Sequence, residues 1–152
     1  MPVVHRICSA KHADGAFTGE GARLYGGRWN EKGTRMVYCA SSVSLAMLEV
    51  LVHSPTLPVG IVSITVMIPD DILIETWTAA DLPADWAMYP APAALQARGS
   101  AWAAAGRTLA VRVPSAVVPS ETNILLNPVH PDWSRCTVHP AEPIAFDIRL
   151  KR

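Results

Sequence analysis

Residues 25–53 constrain the fold most, because they encode a loop, a strand and a helix in immediate succession. The loop begins with Gly26–Asn30, in which two glycines precede an arginine and a tryptophan. Glycine lets the backbone approach a ligand closely, so we expect the Arg28 guanidinium to point into the same space. A short strand is predicted at Met36–Ala40, with Tyr38 on the face opposite its neighbour Cys39.

A helix is predicted from the serine pair Ser41–Ser42 to about His53. A serine oxygen can accept a hydrogen bond from the free amides of the first helical turn, so either serine suits the N-cap. The body of the helix is apolar over most of its circumference. This pattern predicts burial on more than one side.

One narrow face of this helix is less apolar. Its residues lie at spacings of four, three and four: Ser42, Ala46, Glu49 and His53. Such spacings place side chains above one another on a helix. The residues alone leave two interpretations: the face meets solvent, or Glu49 borders a cleft shared with Tyr38 and Arg28.

The remaining elements follow from alternation and composition. Further strands are predicted at Val3–Cys8, Gly60–Ile68, Ile72–Trp77, Thr108–Val113, Ile124–Leu126 and Ile144–Leu150. Alanine-rich Ala93–Ala105 predicts a helix that stops at Gly106, and Lys11–Gly21 predicts a mobile loop able to cover a ligand. The pattern indicates one α+β domain over residues 1–152, with a mainly antiparallel β core and a few helices.

Charge and cysteine content weigh against several classes of protein. Thirteen basic and thirteen acidic residues give a net charge of zero, which argues against direct nucleic-acid binding and ribonuclease activity. Cys8, Cys39 and Cys136 have no paired spacing, which fits a reducing cytosol rather than disulfides or a zinc site. No apolar run approaches membrane-spanning length, so we expect a cytoplasmic protein with no membrane partner.

Several polar residues admit both a structural and a functional interpretation. Arg6 lies within a predicted strand, where it is either an edge-strand surface charge or a ligand for phosphate or ribose. Ser115 and Ser120 follow prolines, a setting that is common for turn and cap residues. His130 and His139 lack a third ligand at a suitable spacing, so no metal is expected.

Three spaced motifs resemble the RES domain, a family named for an arginine, a glutamate and a serine. They are GGRWN at 26–30, VYCASSVSLAMLE at 37–49 and VPSAVVPSETNILLNPVHP at 113–131. The resemblance spans almost the whole chain. It implies a toxin of a bacterial toxin–antitoxin pair encoded beside an Xre-type antitoxin. It also implies a fold similar to the diphtheria-toxin type of ADP-ribosyltransferase and cleavage of the nicotinamide–ribose bond of NAD⁺.

The resemblance also implies roles for individual residues. Glu49 would stabilise the positive charge that develops on the ribose, and Tyr38 would stack on the nicotinamide ring. Arg28 would hold the diphosphate or its ribose, and Ser115 would position ribose or carboxamide, with Ser120 as the alternative serine. The expected catalytic set is Glu49, Arg28 and Ser115, and the expected NAD⁺-binding set is Arg6, Tyr38, Tyr25, Asn127 and His53.

The leading expectation is therefore a toxin that depletes NAD⁺, arrests growth and is inhibited by its antitoxin. A mono-ADP-ribosyltransferase that modifies a specific cytosolic protein is the alternative, although the absence of a Glu-x-Glu pair disfavours transfer to arginine, since position 47 is Met47. Less favoured are a ribonuclease using Glu49 and His53 as base and acid, and a non-catalytic protein-binding module.

Overall fold

Within residues 1–151, which the computed structural model describes, eight strands form one curled sheet. They are β1 (Val3–Ser9), β2 (Val37–Ala40), β3 (Ile61–Met67), β4 (Ile74–Thr76), β5 (Ala110–Pro114), β6 (Thr122–Leu126), β7 (Thr137–Val138) and β8 (Glu142–Ile144). The order is β4-β5-β6-β2-β1-β3-β7, and β8 also pairs with β3. Only β4 and β5 pair in parallel in this described part, which confirms the predicted α+β class with a mainly antiparallel core.

Residues 1–151 also form three α-helices. They are α1 (Glu20–Tyr25), α2 (Val43–Val52) and α3 (Ala93–Ala105). Ser42 caps α2, since its hydroxyl accepts a 3.1 Å hydrogen bond from the Leu45 amide. The predicted bounds of α3 are confirmed, and Gly106 ends the helix in the left-handed conformation that glycine adopts without strain.

The prediction of a loop at Lys11–Gly21 is wrong over most of its length. Ala10–Gly15 form a 3₁₀ helix, and α1 begins at Glu20. Glu20 accepts hydrogen bonds from Arg23 at 2.5 and 2.8 Å and also contacts Arg35 at 2.9 Å. Glu20 and Arg23 are about one helical turn apart, so their ion pair stabilises α1. This six-residue helix has too few apolar residues to show a hydrophobic periodicity.

The predicted strand at Ile144–Leu150 is also wrong over most of its length. The strand β8 ends at Ile144, and Ile148–Leu150 form a 3₁₀ helix. Phe146, only 6% exposed, turns inward and packs with Leu45 and Leu51 of α2. Burial of this ring beneath the helix takes the chain away from the sheet.

The sheet divides between β1 and β2. These strands share one registered pair, His5 with Ala40, whereas β1 and β3 share seven. On the β2 side, Tyr38 packs with the core beneath α3, while Val37 and Cys39 lie in the core on the other face, as predicted. The divergence of β1 from β2 opens a cleft in the middle of the sheet.

Close packing of α3 fixes one edge of that cleft. A Cβ on Gly99 would lie 1.7 Å from the carbonyl oxygen of Trp29. Glycine at this position is therefore required for α3 to contact the backbone of the Gly26–Asn30 loop. The loop that carries Arg28 is held against a helix rather than left free in solvent.

Candidate active site

The cleft between β1 and β2 has a volume of about 1080 Å³, large enough for a dinucleotide-sized ligand. Its walls come from β1, the Gly26–Asn30 loop, α2 and the segment Trp86–Ala91. Six of the residues predicted to form a site line it: Arg6, Tyr25, Arg28, Tyr38, Glu49 and His53. The helix face that carries Glu49 therefore borders a cleft shared with Tyr38 and Arg28, which is the second of the two interpretations of that face.

Glu49 is held by a serine from a distant part of the chain. The Ser115 hydroxyl donates a 2.7 Å hydrogen bond to Oε1 of Glu49. The same hydroxyl accepts hydrogen bonds from the amides of Val117 and Val118, each at 3.0 Å. Because both amides donate to it, the hydroxyl must direct its proton toward the carboxylate.

The position of Ser115 corrects the role expected for this residue. Its side chain is fully buried, so it does not face the cleft and cannot position ribose or carboxamide directly. It instead fixes the orientation of Glu49. The alternative serine, Ser120, is exposed in the turn that precedes β6.

Arg28 is fixed by backbone carbonyls. Its Nη1 donates hydrogen bonds of 2.8 Å to the carbonyl oxygens of Trp86 and Met88. Partial burial lowers the pKa of this guanidinium, while the nearby Glu49 and Tyr38 act in the opposite direction. A guanidinium remains charged under these conditions, so Arg28 supplies a fixed cation to the cleft.

A network of hydrogen bonds fixes the ring of Tyr38. Its hydroxyl donates to Oδ1 of Asn30 at 2.6 Å and accepts from the Trp29 amide at 3.0 Å. Burial raises the pKa of the phenol, so Tyr38 is neutral at physiological pH. Asn30 is itself fully buried, and its Nδ2 donates to three backbone carbonyls. The ring therefore enters the cleft in a single orientation.

Gly27 was predicted to let the backbone approach a ligand, but the structure shows a different reason for a glycine at this position. A Cβ on Gly27 would lie 2.6 Å from the Tyr38 hydroxyl oxygen and 3.0 Å from Oδ1 of Asn30. The clearance at this position therefore admits a side chain of the protein itself. The sequence correctly predicted a close approach at Gly27, but the partner is the Tyr38 hydroxyl.

Arg6 lies at the point where the sheet divides. Its strand β1 pairs with strands on both sides, so the interpretation of Arg6 as an edge-strand charge is wrong. The Nη1 of Arg6 donates a 3.0 Å hydrogen bond to the carbonyl of Tyr38. Its Nε is buried and has no hydrogen-bond partner within residues 1–151. Arg6 thus joins the two diverging strands and lines the cleft.

Two other predicted residues differ in their surroundings. Tyr25, which is 78% exposed, lies on the rim of the cleft. Asn127 does not line the cleft, since its Nδ2 donates to the Ala103 carbonyl at 3.0 Å and its Oδ1 accepts from the Val129 amide at 3.2 Å. Its place in the predicted binding set is not supported, because both polar atoms connect α3 to the end of β6.

The polar residues of the cleft that were not predicted include His5, Gln96 and Asn123. Gln96 donates a 2.9 Å hydrogen bond from Nε2 to the Gly27 carbonyl. Burial lowers the pKa of His5, whose Nδ1 lies 3.1 Å from the Thr65 hydroxyl. The one signal for Gln96 is that it is a polar residue in an alanine-rich helix. His5 and Asn123 resemble ordinary strand residues.

The part of the chain at residues 1–151 contains neither a metal-ligand cluster nor a membrane-spanning helix. No three His, Cys, Asp or Glu side chains there form a cluster able to hold a metal ion. His130 uses Nδ1 to accept a hydrogen bond from the Asp132 amide at 3.1 Å. None of the described helices has the length and apolar character needed to cross a membrane.

The chain that forms this cleft matches one protein family over almost its whole length. Residues 3–148 match the RES domain, so the chain belongs to the RES domain family. "Toxin Res" of Yersinia enterocolitica is 42% identical over 98% of this chain and 99% of its own length. "Prs ADP-ribosylating toxin" of a Sphingobium species is 41% identical over 90% of this chain and 87% of its own length.

A solved structure also has this fold. The M. tuberculosis MbcT–MbcA toxin–antitoxin complex contains a chain that superposes with a TM-score of 0.73 at 19% sequence identity. The match covers 94% of this chain and 84% of the other. At this identity the comparison demonstrates the shared fold.

Proposed function

We propose that this chain is the toxin of a toxin–antitoxin system and that it breaks the nicotinamide–ribose bond of NAD⁺. The observation that carries the proposal is the Glu49 carboxylate, fixed by Ser115 and facing a cleft that also contains two arginines. The toxin names of the RES relatives agree with it.

The reaction requires charge stabilisation at the ribose. When the bond between C1′ and the pyridinium nitrogen breaks, its electron pair leaves with nicotinamide, which becomes neutral. The ribose carbon and ring oxygen then share a positive charge. A carboxylate that is already oriented stabilises this charge more in the transition state than in the ground state, and we assign that role to Glu49.

The other side chains of the cleft bind nicotinamide and the centre of the substrate. The Tyr38 ring stacks on nicotinamide, which is cationic before cleavage. Arg6 and Arg28 bind the diphosphate or its adjoining ribose, because a guanidinium matches phosphate oxygens with paired donors. The hydrogen bonds from Arg6 to the Tyr38 carbonyl and from Arg28 to the Trp86 carbonyl hold both groups in place before substrate binds.

Two candidate functions differ in the acceptor to which the ADP-ribosyl group is transferred. We favour transfer to water or phosphate, which releases a soluble product and depletes the NAD⁺ of the cell. The second candidate is mono-ADP-ribosylation of a cytosolic protein, favoured by the name of the Sphingobium relative. The residue two before Glu49 is Met47, so the second carboxylate of a Glu-x-Glu pair is absent.

An inhibitory partner follows from the proposed activity. An enzyme that consumes NAD⁺ in the cytoplasm would harm the cell that makes it, so we propose that an Xre-type antitoxin covers or enters the cleft. The structural relative was solved as a toxin–antitoxin complex. Co-expression with the neighbouring antitoxin should restore growth and stop NAD⁺ loss together, and restored growth with continuing NAD⁺ loss contradicts this mode of inhibition.

The test of the function uses purified protein and NAD⁺ labelled on its adenylate half, with and without cell extract. Release of nicotinamide with the label in soluble product supports depletion. Label that ends mainly on one protein while total NAD⁺ barely falls supports the transferase. A parallel incubation with RNA tests the ribonuclease alternative. Intact NAD⁺ in all reactions with a folded protein rejects the proposal.

A further inference from the structure

Two exposed aromatic side chains face each other at the mouth of the cleft, on walls from distant parts of the chain. His53 ends α2, four residues after Glu49, and Tyr89 lies in the segment Trp86–Ala91. Their ring centroids are 6.3 Å apart, with the planes inclined at 51°. Tyr89 is 78% exposed, and neither ring belongs to a hydrophobic core. Core packing therefore explains neither ring.

Arg28 fixes the backbone that carries Tyr89. Its Nη1 donates to the carbonyls on either side of Ala87, those of Trp86 and Met88. A guanidinium has five N–H donors, so this arrangement leaves Nε and Nη2 for other partners. Neither of these nitrogens makes a hydrogen bond within residues 1–151. One side of Arg28 holds the segment, and the other side is available to an anionic ligand.

We propose that His53 and Tyr89 form the subsite for the adenine base of NAD⁺, beside a diphosphate bound to the free side of Arg28. This assignment rests on the proposed function and extends it to residues of the rim. His53 lies about 6 Å from Glu49 along the axis of α2, and it is exposed whereas Glu49 is half-buried. The base is thus placed away from the carbon at which the bond breaks.

The spacing of the two rings is close to the spacing that a planar, uncharged base requires. A base stacked between two rings requires a separation of about 7 Å, twice the contact distance between carbon atoms. The present 6.3 Å is slightly less and the planes are inclined at 51°, so the exposed Tyr89 ring must both move outward and rotate to admit the base. Stacking on aromatic side chains contributes about 1–3 kcal/mol per base when measured by alanine substitution, which corresponds to about five- to 150-fold in affinity.

The kinetic test compares NAD⁺ with nicotinamide mononucleotide, which has the same scissile bond and lacks the adenylate half. Tyr89→Ala and, independently, His53→Ala should each raise KM for NAD⁺ about tenfold and leave cleavage of the mononucleotide unchanged. Tyr89→Phe, which retains the ring, should behave as the wild type. Equal effects on both substrates, or none on either, would overturn the assignment.

The binding test requires no catalysis. Calorimetric titration with ADP should show wild-type binding that is weakened about tenfold in Tyr89→Ala and retained in Tyr89→Phe. The matched control is Val59→Ala, which removes an exposed apolar side chain that does not line the cleft. Absence of ADP binding by the wild type, or unchanged binding by both alanine variants, rejects the subsite. Binding of ADP through Tyr89 without NAD⁺ cleavage would reject the proposed function, and only the assignment of His53 and Tyr89 as an adenine-binding subsite would remain.

Discussion

The inner end of the cleft and its rim are built differently. At the inner end, Arg6, Tyr38 and Glu49 each make a hydrogen bond to a group from another element. At the rim, Tyr25, His53 and Tyr89 are exposed, and their side chains make no hydrogen bond within residues 1–151. The inner residues are fixed before a ligand arrives, whereas the rim residues are free to adjust to one.

This difference separates chemistry from recognition. Stabilising a developing charge requires groups that do not reorganise during the reaction, which the inner end provides. Recognition of a base by stacking tolerates movement of the ring that receives it. We therefore expect substitutions at the inner end to lower kcat or stability, and substitutions at the rim to raise KM.

The largest effect is expected at Glu49. Glu49→Gln keeps the shape of the side chain and can still accept the Ser115 hydrogen bond, but it removes the negative charge. NAD⁺ cleavage should fall by about a hundredfold or more, the scale for loss of one preorganised electrostatic group. The measurement is kcat with saturating NAD⁺, and Glu142→Gln, at an exposed carboxylate in β8, is the control. Unchanged turnover in a folded Glu49→Gln protein would remove Glu49 from the mechanism.

Ser115→Ala tests whether catalysis requires the Glu49 side chain at the inner end of the cleft to be held by a hydrogen bond. The substitution leaves the amides of Val117 and Val118 without their acceptor and Glu49 without its donor. We expect kcat to fall about tenfold and the free energy of unfolding to fall by about 1–3 kcal/mol, while KM changes little. Steady-state kinetics and urea denaturation measure the two effects.

Ser120→Ala is the matched control for this variant, since Ser120 is exposed in the same segment. It should leave both quantities unchanged. If Ser115→Ala raises KM instead of lowering kcat, Ser115 acts on substrate binding. In that case Ser115 would not belong to the fixed inner end of the cleft.

Local sequence signals predicted the elements on which the inner end depends. The strand β2 and helix α2 follow one another with a serine cap, so the sequence placed Tyr38 and Glu49 near each other. The bounds of α3 were predicted because alanine favours helix and Gly106 favours the left-handed end. The six-residue α1 was not predicted, because it depends on ion pairs of Glu20 rather than on an apolar pattern.

Contacts between distant residues were beyond prediction from the sequence. Ser115 and Glu49 are 66 positions apart, and Arg28 is 58 positions from Trp86. Periodicity reports which face of an element is buried, but it does not report which distant segment covers that face. For this reason the serine of the RES motif was recognised as a site residue, whereas its contact with the carboxylate emerged from the fold.

Tyr38→Phe separates stacking by the aromatic ring from hydrogen bonding by the hydroxyl. The phenyl ring retains its stacking surface, but the Trp29 amide loses its acceptor and the buried Oδ1 of Asn30 loses its donor. We expect the free energy of unfolding to fall by about 1–3 kcal/mol, with kcat changed less than threefold, roughly 0.6 kcal/mol in activation free energy. Thermal denaturation and NAD⁺ turnover of the folded protein check this result. A large loss of kcat at unchanged stability would show that the hydroxyl takes part in the reaction.

The smallest effect is expected where α2 approaches the rim. The Lys151 ammonium donates hydrogen bonds to the carbonyls of Leu51, at 2.8 Å, and Ser54, next to the C-terminal end of α2. A cation there interacts favourably with the helix dipole, so Lys151→Met should lower the free energy of unfolding by about 0.3–1 kcal/mol. Lys151→Arg should retain most of the stabilisation. Because Ser115 fixes Glu49 independently, kcat should remain unchanged in urea-free assays. A fall in kcat in the methionine variant, reversed in the arginine variant, would mean that the position of Glu49 depends on the rim end of its helix.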